Sequence, residues 1–296
     1  MMLQEAVENY IASLSARAPE HRGNNRNTIL AYRNDLGQLC SYLSGENIQD
    51  WAQVTREHIS DYLVKMSEAY SYRPTTVARK LAAFKSFFRF LRGSDIIEVD
   101  PVEKLTSPRI QKDLPQVLSA EQVSSLFHLV DGETVGGQRD LAMLRLLYST
   151  GMRASELVSL NVDDFDPTNS VIVCPGGGSA RRERVLPLSA IAREALCQYL
   201  ERSRPRLLRR EGEPALFLNH HGERLTRQGF WLIIKGYARQ AGITDITPHS
   251  LRHSFAILML KEGMELRSIK ELLGHAHIST TQMYCQMALA ETSRQG

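Results

Sequence analysis

Through its first hundred residues the chain places apolar side chains every three or four positions, in four stretches at roughly 3–16, 27–44, 57–69 and 75–92. That period belongs to helices that bury one face, so the pattern predicts a helical first domain. The fourth stretch, RPTTVARKLAAFKSFFRFLRG, has the sharpest limits. Pro74 suits a first turn, Thr75 or Thr76 can cap it, and Gly93 stands where a C-terminal cap belongs. Val77, Leu81, Phe84, Phe88 and Leu91 fall on one face, while Arg79, Lys80, Lys85, Arg89 and Arg92 lie elsewhere on the helix. Those cations form either a solvated surface or a face for a polyanion, and this stretch alone does not choose.

The period then stops. DPVEKLTSPRIQKDLPQVLS carries three prolines and several charges with no helical repeat. It marks a linker at 108–115 between a first domain at 1–107 and a second at 116–296. Beyond it a helix is expected from about 119 to 130, and RDLAMLRLLYSTG reads as another that Gly151 terminates. VIVCP and RERVLPL are β-rich runs flanking a glycine- and arginine-rich stretch, so they predict a hairpin. SAIAREALCQYLERS returns to helix, and helices dominate to the C-terminus. The fold class is therefore mainly α with a small β component.

Composition narrows the class without naming a task. With 43% hydrophobic and 23% charged residues over 296 positions, the chain is an ordinary globular protein of one or two domains. A net charge of +3 is too small to imply nucleic acid, so any such partner must be argued from placed residues. Cys40, Cys174, Cys197 and Cys285 form no C-x-x-C pair and no zinc spacing, and read as reduced thiols. The opening MMLQEAVENYIASLSA carries acidic residues early, unlike a secretory signal, and no apolar run is long enough for a membrane span. A soluble cytoplasmic protein is expected.

Four places in the second half hold polar residues that a core does not need. In STGMRASEL, Arg153 follows the helix-ending Gly151 and so projects from a turn. In ITPHSLRHSF, Thr247 as N-cap and Pro248 in the first turn put His249 and Arg252 one turn apart on one face. In ELLGHAHIST, Gly274 closes a helix and His275 emerges after it; in STTQMYCQM, Ser279 or Thr280 caps a short helix that carries Tyr284. Taken singly, each has a plain structural reading: a surface arginine, a chance H-x-x-R, a packed tyrosine. Together they supply what a phosphodiester needs. Guanidinium forks match phosphate oxygens, a histidine hydrogen-bonds oxygen or moves a proton near neutral pH, and a tyrosine can bond to phosphorus.

At these residues the chain resembles the tyrosine recombinases, or phage integrase family, and within it the compact Xer-like members. TGMRASEL looks like the family's first-arginine motif, HSLRHSFA like its H-x-x-R box, and LLGHAHISTTQMY like its histidine-to-tyrosine segment. The N-terminal half is similar to the helical, SAM-like core-binding domain, and the second half to the α+β catalytic domain. The resemblance implies a two-domain clamp on duplex DNA in which Tyr284 attacks the scissile phosphate. A 3′-phosphotyrosyl link forms, a 5′-hydroxyl leaves, and a 5′-hydroxyl from a partner duplex reverses the attack. Arg153, Arg252 and His275 then stabilise the transition state, His249 aids proton movement and Glu156 orients its neighbours. It further implies that Arg79, Lys80, Lys85 and Arg89 meet DNA, and that a homo- or hetero-tetramer assembles on an inverted-repeat core site. Neither metal nor other cofactor is required, because the covalent link conserves the phosphodiester energy. The alternatives are an accessory recombinase with weak or absent cleavage of its own, and type IB topoisomerase-like relaxation.

The chain departs from the family pattern at one place. The hairpin after the first arginine normally reads like G-K-G-x-K-x-R, and its first lysine protonates the leaving 5′-oxygen. Anchored on ERVLPL, that position is Ser179 and the second basic one is Arg182, and no lysine occurs between Lys112 and Lys235. Arg181 or Arg182 could reach the site, but a guanidinium holds its proton too firmly to be an efficient acid. The reading preferred here is that an arginine replaces the lysine electrostatically while water or a histidine gives the proton.

Overall fold

The structure, a computed structural model, describes residues 2–17, 26–68, 71–108, 117–176, 183–244, 246–247 and 249–295. The chain divides into two compact units, Met1–Asp113 and Leu114–Gly296.

The first unit is all helical: α1 (Leu3–Arg17), α2 (Arg26–Gly45), α3 (Arg56–Glu68) and α4 (Pro74–Gly93), with a 3₁₀ turn at Trp51–Gln53. Its centre is aromatic. Trp51, Phe84, Phe87 and Phe88 are fully buried, and Trp51 meets Phe87 edge-on at 4.7 Å between ring centroids. The buried indole N–H still needs an acceptor, which the carbonyl of Leu3 provides at 3.1 Å. Pro74 opens α4 as the sequence suggests, but no threonine caps it; Arg73 holds the N-cap position with no side-chain bond. At the other end Gly93 is the last helical residue, and Asp95, at φ +54°, makes the left-handed turn.

One expectation about α4 is corrected. Lys80 is not on an outer face: its side chain is 2% exposed, with the ammonium 3.0 Å from Asp35 Oδ1 and 2.6 Å from Gln38 Oε1. Asp35, on α2, is itself fully buried and also accepts from Arg79, whose Nη2 lies 3.0 Å from Oδ1. The helical period of about 3.6 residues per turn, not charge, decides the matter: Lys80 is three residues from Val77 and four from Phe84, which puts it on the buried stripe. Arg79 and Arg89 remain exposed and Lys85 half-buried.

The second unit contains α5 (Ala120–His128), α6 (Val135–Thr150), α7 (Ala154–Ser159), a three-stranded sheet, α8 (Ala190–Gln198), a π turn at Tyr199–Ser203, α9 (Arg204–Leu207), α10 (Arg227–Gln240), α11 (Ser250–Lys261), α12 (Leu266–Leu273) and α13 (Ile278–Gln295). Ser119, Thr134, Ser189 and Thr226 cap α5, α6, α8 and α10, each accepting from a backbone N–H in the first turn. The central α6 packs against both α8 and α11. The sheet is antiparallel, with β1 (Phe165–Asp166), β2 (Val171–Cys174) and β3 (Arg184–Pro187) in that order. The β-rich runs pair as a hairpin, from Val171 opposite Pro187 to Cys174 opposite Arg184. The alternation of a half-buried strand puts Leu186 inside and Val185 and Pro187 outside, so Arg184 shares the inner side with Leu186. Ser179, Arg181 and Arg182 lie outside the described residues.

Two boundaries differ from the sequence reading. Helix α11 begins at Ser250, and Thr247 stands ahead of it with its amide donating to Ser250 Oγ at 3.0 Å; Pro248 lies outside the described residues. The tyrosine helix is long rather than short, and Ser279 and Thr280 fall inside its first turn.

Because Asp35 neutralises a lysine sealed in the first unit, Asp35→Ala strands a buried charge, at a cost of about 3–5 kcal/mol. Urea unfolding followed by Trp51 fluorescence, in a Trp231→Phe background, is expected to show a lower midpoint for the first unit. Arg79→Ala, at a half-exposed side chain, is expected to move it far less.

Candidate active site

Two glycines set the backbone of the site. Helix α6 ends at Gly151 with φ +60°, and α12 ends at Gly274 with φ +62°. Both are left-handed C-caps, a conformation that costs glycine little. Space makes the same demand: a Cβ on Gly151 would stand 2.8 Å from Leu273 Cδ2, and one on Gly274 2.9 Å from Arg184 Cζ. These two reversals bring the ends of α6 and α12 together.

Arginines tie the reversals to each other. Arg252, on α11 and only 3% exposed, donates to the carbonyl of Gly151 and to that of Leu273, both at 2.6 Å. Arg153 leaves the first turn and donates to Gly274 O at 3.0 Å and to Glu156 Oε1 at 2.8 Å. Arg184, from β3, reaches Glu156 Oε2 at 2.8 Å and Leu272 O at 2.7 Å. Glu156 also accepts from the Arg153 backbone N–H at 2.7 Å, closing the N-terminus of α7. Burial alone would raise its pKa, but the Arg153 amide and the guanidiniums of Arg184 and Arg153 outweigh that and hold the carboxyl below its usual range. Arg252 is pulled down to about 10, by burial first and then by Arg153, and stays charged at neutral pH.

The cluster is thus three guanidiniums around one carboxylate, an excess of positive charge in a poorly hydrated place. Arg153 and Arg252 each have N–H groups beyond those used above, and Arg153 keeps 19% of its side chain accessible. Such an arrangement is suited to an anion.

Tyr284 comes to this cluster from α13. Its ring packs with Phe255, Leu273 and Met287, and the residue is 1% exposed. Burial raises the phenol pKa more than Arg252 and Arg153 lower it. Its hydroxyl is 2.8 Å from Nδ1 of His253, the residue after Arg252. His275 follows Gly274, stacks at 6.1 Å from the Tyr284 ring, and has Nδ1 2.9 Å from Thr281 Oγ1. His249 sits in the turn ahead of α11, more than a third exposed, 6.2 Å from the His253 ring. Its pKa is lowered by partial loss of hydration and by the charges of Arg252, Arg227 and Arg153.

The chain is similar to known proteins over most of its length. The pattern of the phage integrase family matches residues 116–291, and that of the phage integrase N-terminal SAM-like domain matches residues 8–94. The chain belongs to the phage integrase family of tyrosine recombinases. It is 46% identical to tyrosine recombinase XerC of Roseiflexus castenholzii, over 96% of this chain and 90% of that one. It is 42% identical to tyrosine recombinase XerD of Listeria innocua, over 89% of each. Among solved structures, XerH site-specific recombinase bound to palindromic difH substrate superposes with a TM-score of 0.73 at 18% identity, covering 99% of this chain and 94% of that one. The fold is that of a tyrosine recombinase: mostly helical, with a SAM-like first domain and a catalytic domain of helices that carries a small three-stranded sheet.

In this recombinase the structure brings Arg153, Glu156, Arg252, His275 and Tyr284 into one cluster, with His249 at its edge. Arg79, Lys80, Lys85 and Arg89 belong to the other unit. The sequence reading omitted three contributors: Arg184, Thr281 and His253. Arg184 had a usable signal, since it occupies an inward register position of a strand whose partners are apolar. His253 had none in its own neighbourhood, because its partner lies 31 residues away on another helix.

His253 and His275 are each pushed down to about 4, by burial and then by positive neighbours. An imidazole whose folded value lies below its ordinary one binds protons more readily in the unfolded chain. Its share of stability is therefore full above a pH of roughly 6.5 and is lost as pH falls toward 4. Urea midpoints of the second unit are expected to drop across that window, and His275→Gln to flatten the drop.

Proposed function

We propose that the chain is a site-specific DNA recombinase that cleaves and rejoins duplex DNA through a 3′-phosphotyrosyl intermediate on Tyr284. The observation that carries the reading is the shared cluster of Tyr284, Arg153, Arg252 and His275, built on family-matching segments from three separate parts of the chain. In-line attack by a phenol builds negative charge on the non-bridging oxygens. Arg153 and Arg252 meet that charge with guanidiniums already held by backbone carbonyls, so little reorganisation is needed when it appears. His275 donates to the same oxygens, its ring fixed through Thr281. His249 sits at the cluster's edge, where a proton can exchange with solvent. Glu156 positions Arg153 and Arg184 and takes no proton. A tyrosine that is 1% exposed reaches phosphorus only after the packing around α13 opens, so binding of DNA and exposure of the nucleophile are linked.

The chemistry needs neither metal nor nucleotide, because the phosphotyrosyl bond stores the energy used in rejoining. With Ser179 at the family's lysine position, water or a histidine protonates the 5′-oxygen, and Arg181 and Arg182 contribute charge. Arg79, Lys85 and Arg89 on α4 contact the DNA backbone, whereas Lys80 is spent inside its unit. Two copies reading one half-site each imply an inverted-repeat core, and exchange between two such duplexes implies a homo- or hetero-tetramer. The place of action is the cytoplasm; among the described residues no helix is long and apolar enough to cross a membrane.

Incubation with a suicide duplex, nicked so that the cleaved fragment diffuses away, is expected to trap a covalent protein–DNA adduct. The duplex carries the core site that the wild-type protein selects from random sequences. Tyr284→Phe is expected to bind that duplex equally and trap nothing, and Arg153→Ala to slow trapping by about 10²–10³. Binding without any adduct in the wild type would instead mark an accessory protein, and plasmid relaxation without exchange a topoisomerase.

A further inference from the structure

His253 has no place in the motif that first pointed to this site, yet its Nδ1 is 2.8 Å from the hydroxyl of Tyr284. Resting on the cleavage reading above, we infer that His253 accepts the phenolic proton of Tyr284 as its oxygen attacks phosphorus, and gives a proton back to that oxygen when the strand is rejoined. A protonated phenol is a weak nucleophile, and a general base has to lie within hydrogen-bond reach of the proton it removes.

The direction of the hydrogen bond follows from its neighbours. Arg252 has only donors, and its positive charge acts on Tyr284, which favours a phenol lone pair turned toward the guanidinium. The phenolic proton then points to Nδ1 of His253, the partner 2.8 Å away. The other two histidines are worse placed. His275 has its Nδ1 engaged by Thr281 and lies nearly parallel to the tyrosine ring, with 15° between planes. His249 is one ring further out, 6.2 Å from His253.

The groups facing His253 are Arg252 and His249 from its own segment, Tyr284 from α13 and His275 from the loop after α12. Burial and these positive neighbours keep it neutral, as a base must be before it acts. A phosphodiester entering among Arg153 and Arg252 offsets those charges and raises the imidazole's basicity when the proton has to move. In the step itself the bond from Tyr284 Oη to phosphorus forms and the bond from phosphorus to the 5′-oxygen breaks. The phenolic proton passes to Nδ1, giving an imidazolium. The departing oxygen takes a proton from water, and the hydroxide so formed is neutralised by the imidazolium. Rejoining runs these transfers in reverse: water gives a proton to the imidazole, the hydroxide left behind takes the proton of the attacking 5′-hydroxyl, and the imidazolium protonates the departing Tyr284 oxygen.

His253→Asn tests the assignment, since its amide oxygen can still accept a hydrogen bond near the position of Nδ1 but cannot take the proton. Single-turnover adduct formation on the suicide duplex is measured from about pH 6 to 9. The wild-type rate is expected to be nearly flat. The variant is expected to bind DNA normally, to be about 10²–10³ slower at neutral pH, and to gain roughly tenfold per pH unit as hydroxide takes over. A variant with wild-type rate and pH profile overturns the role of His253 and leaves the cleavage reading standing. No adduct in the wild type overturns both. A measurement that needs no histidine variant is nitrogen NMR of wild-type protein with labelled histidine. There Nδ1 of His253 is expected to be the unprotonated nitrogen, with a signal that moves in Tyr284→Phe, and a protonated Nδ1 overturns the inference.

Discussion

The site depends on one buried carboxylate. Three guanidiniums crowd a poorly hydrated corner of the second unit, and their mutual repulsion would scatter them without an anion in their midst. Glu156 is that anion, 5% exposed, with one oxygen on the Arg153 side chain and the other shared by the Arg153 amide and Arg184. Its charge costs desolvation, and it is kept because both oxygens meet charged or backbone donors. Arg252 lacks such a partner and is held by two backbone carbonyls, so its charge is left over for a ligand.

This arrangement also explains why the glycines matter. The carbonyls that orient Arg252 and Arg153 belong to Gly151, Leu273 and Gly274, at the ends of two helices. Helix C-termini carry unsatisfied carbonyls and partial negative charge, which is where cations are favoured. The reversals at φ near +60° turn those carbonyls inward. Arg153 is thus fixed by a main-chain carbonyl and a carboxylate, and Arg252 by two main-chain carbonyls, leaving few degrees of freedom to freeze when a phosphate arrives.

Much of this was legible from the sequence, for identifiable reasons. Helix positions followed from apolar period, and Gly151 and Gly274 as helix ends followed from residue type, because both are local properties. The hairpin followed from two β-rich runs around glycines. What failed was non-local. Lys80 looked like a surface cation, since nothing near it in sequence reveals Asp35 waiting on α2. The start of α11 was misplaced because Thr247 looks like a cap, whereas its amide turns to Ser250 instead. His253 went unnoticed because its meaning lies in the meeting of α11 and α13. The family resemblance supplied the candidate set, and the geometry added the groups that hold it.

The most direct test of this account is Glu156→Gln, which keeps the shape and an acceptor oxygen but removes the charge. Single-turnover cleavage of the selected core site, measured beside DNA affinity, separates positioning from binding. The account predicts unchanged affinity with cleavage slowed by roughly tenfold or more, because two arginines lose their common anchor. Cleavage at the wild-type rate would contradict it.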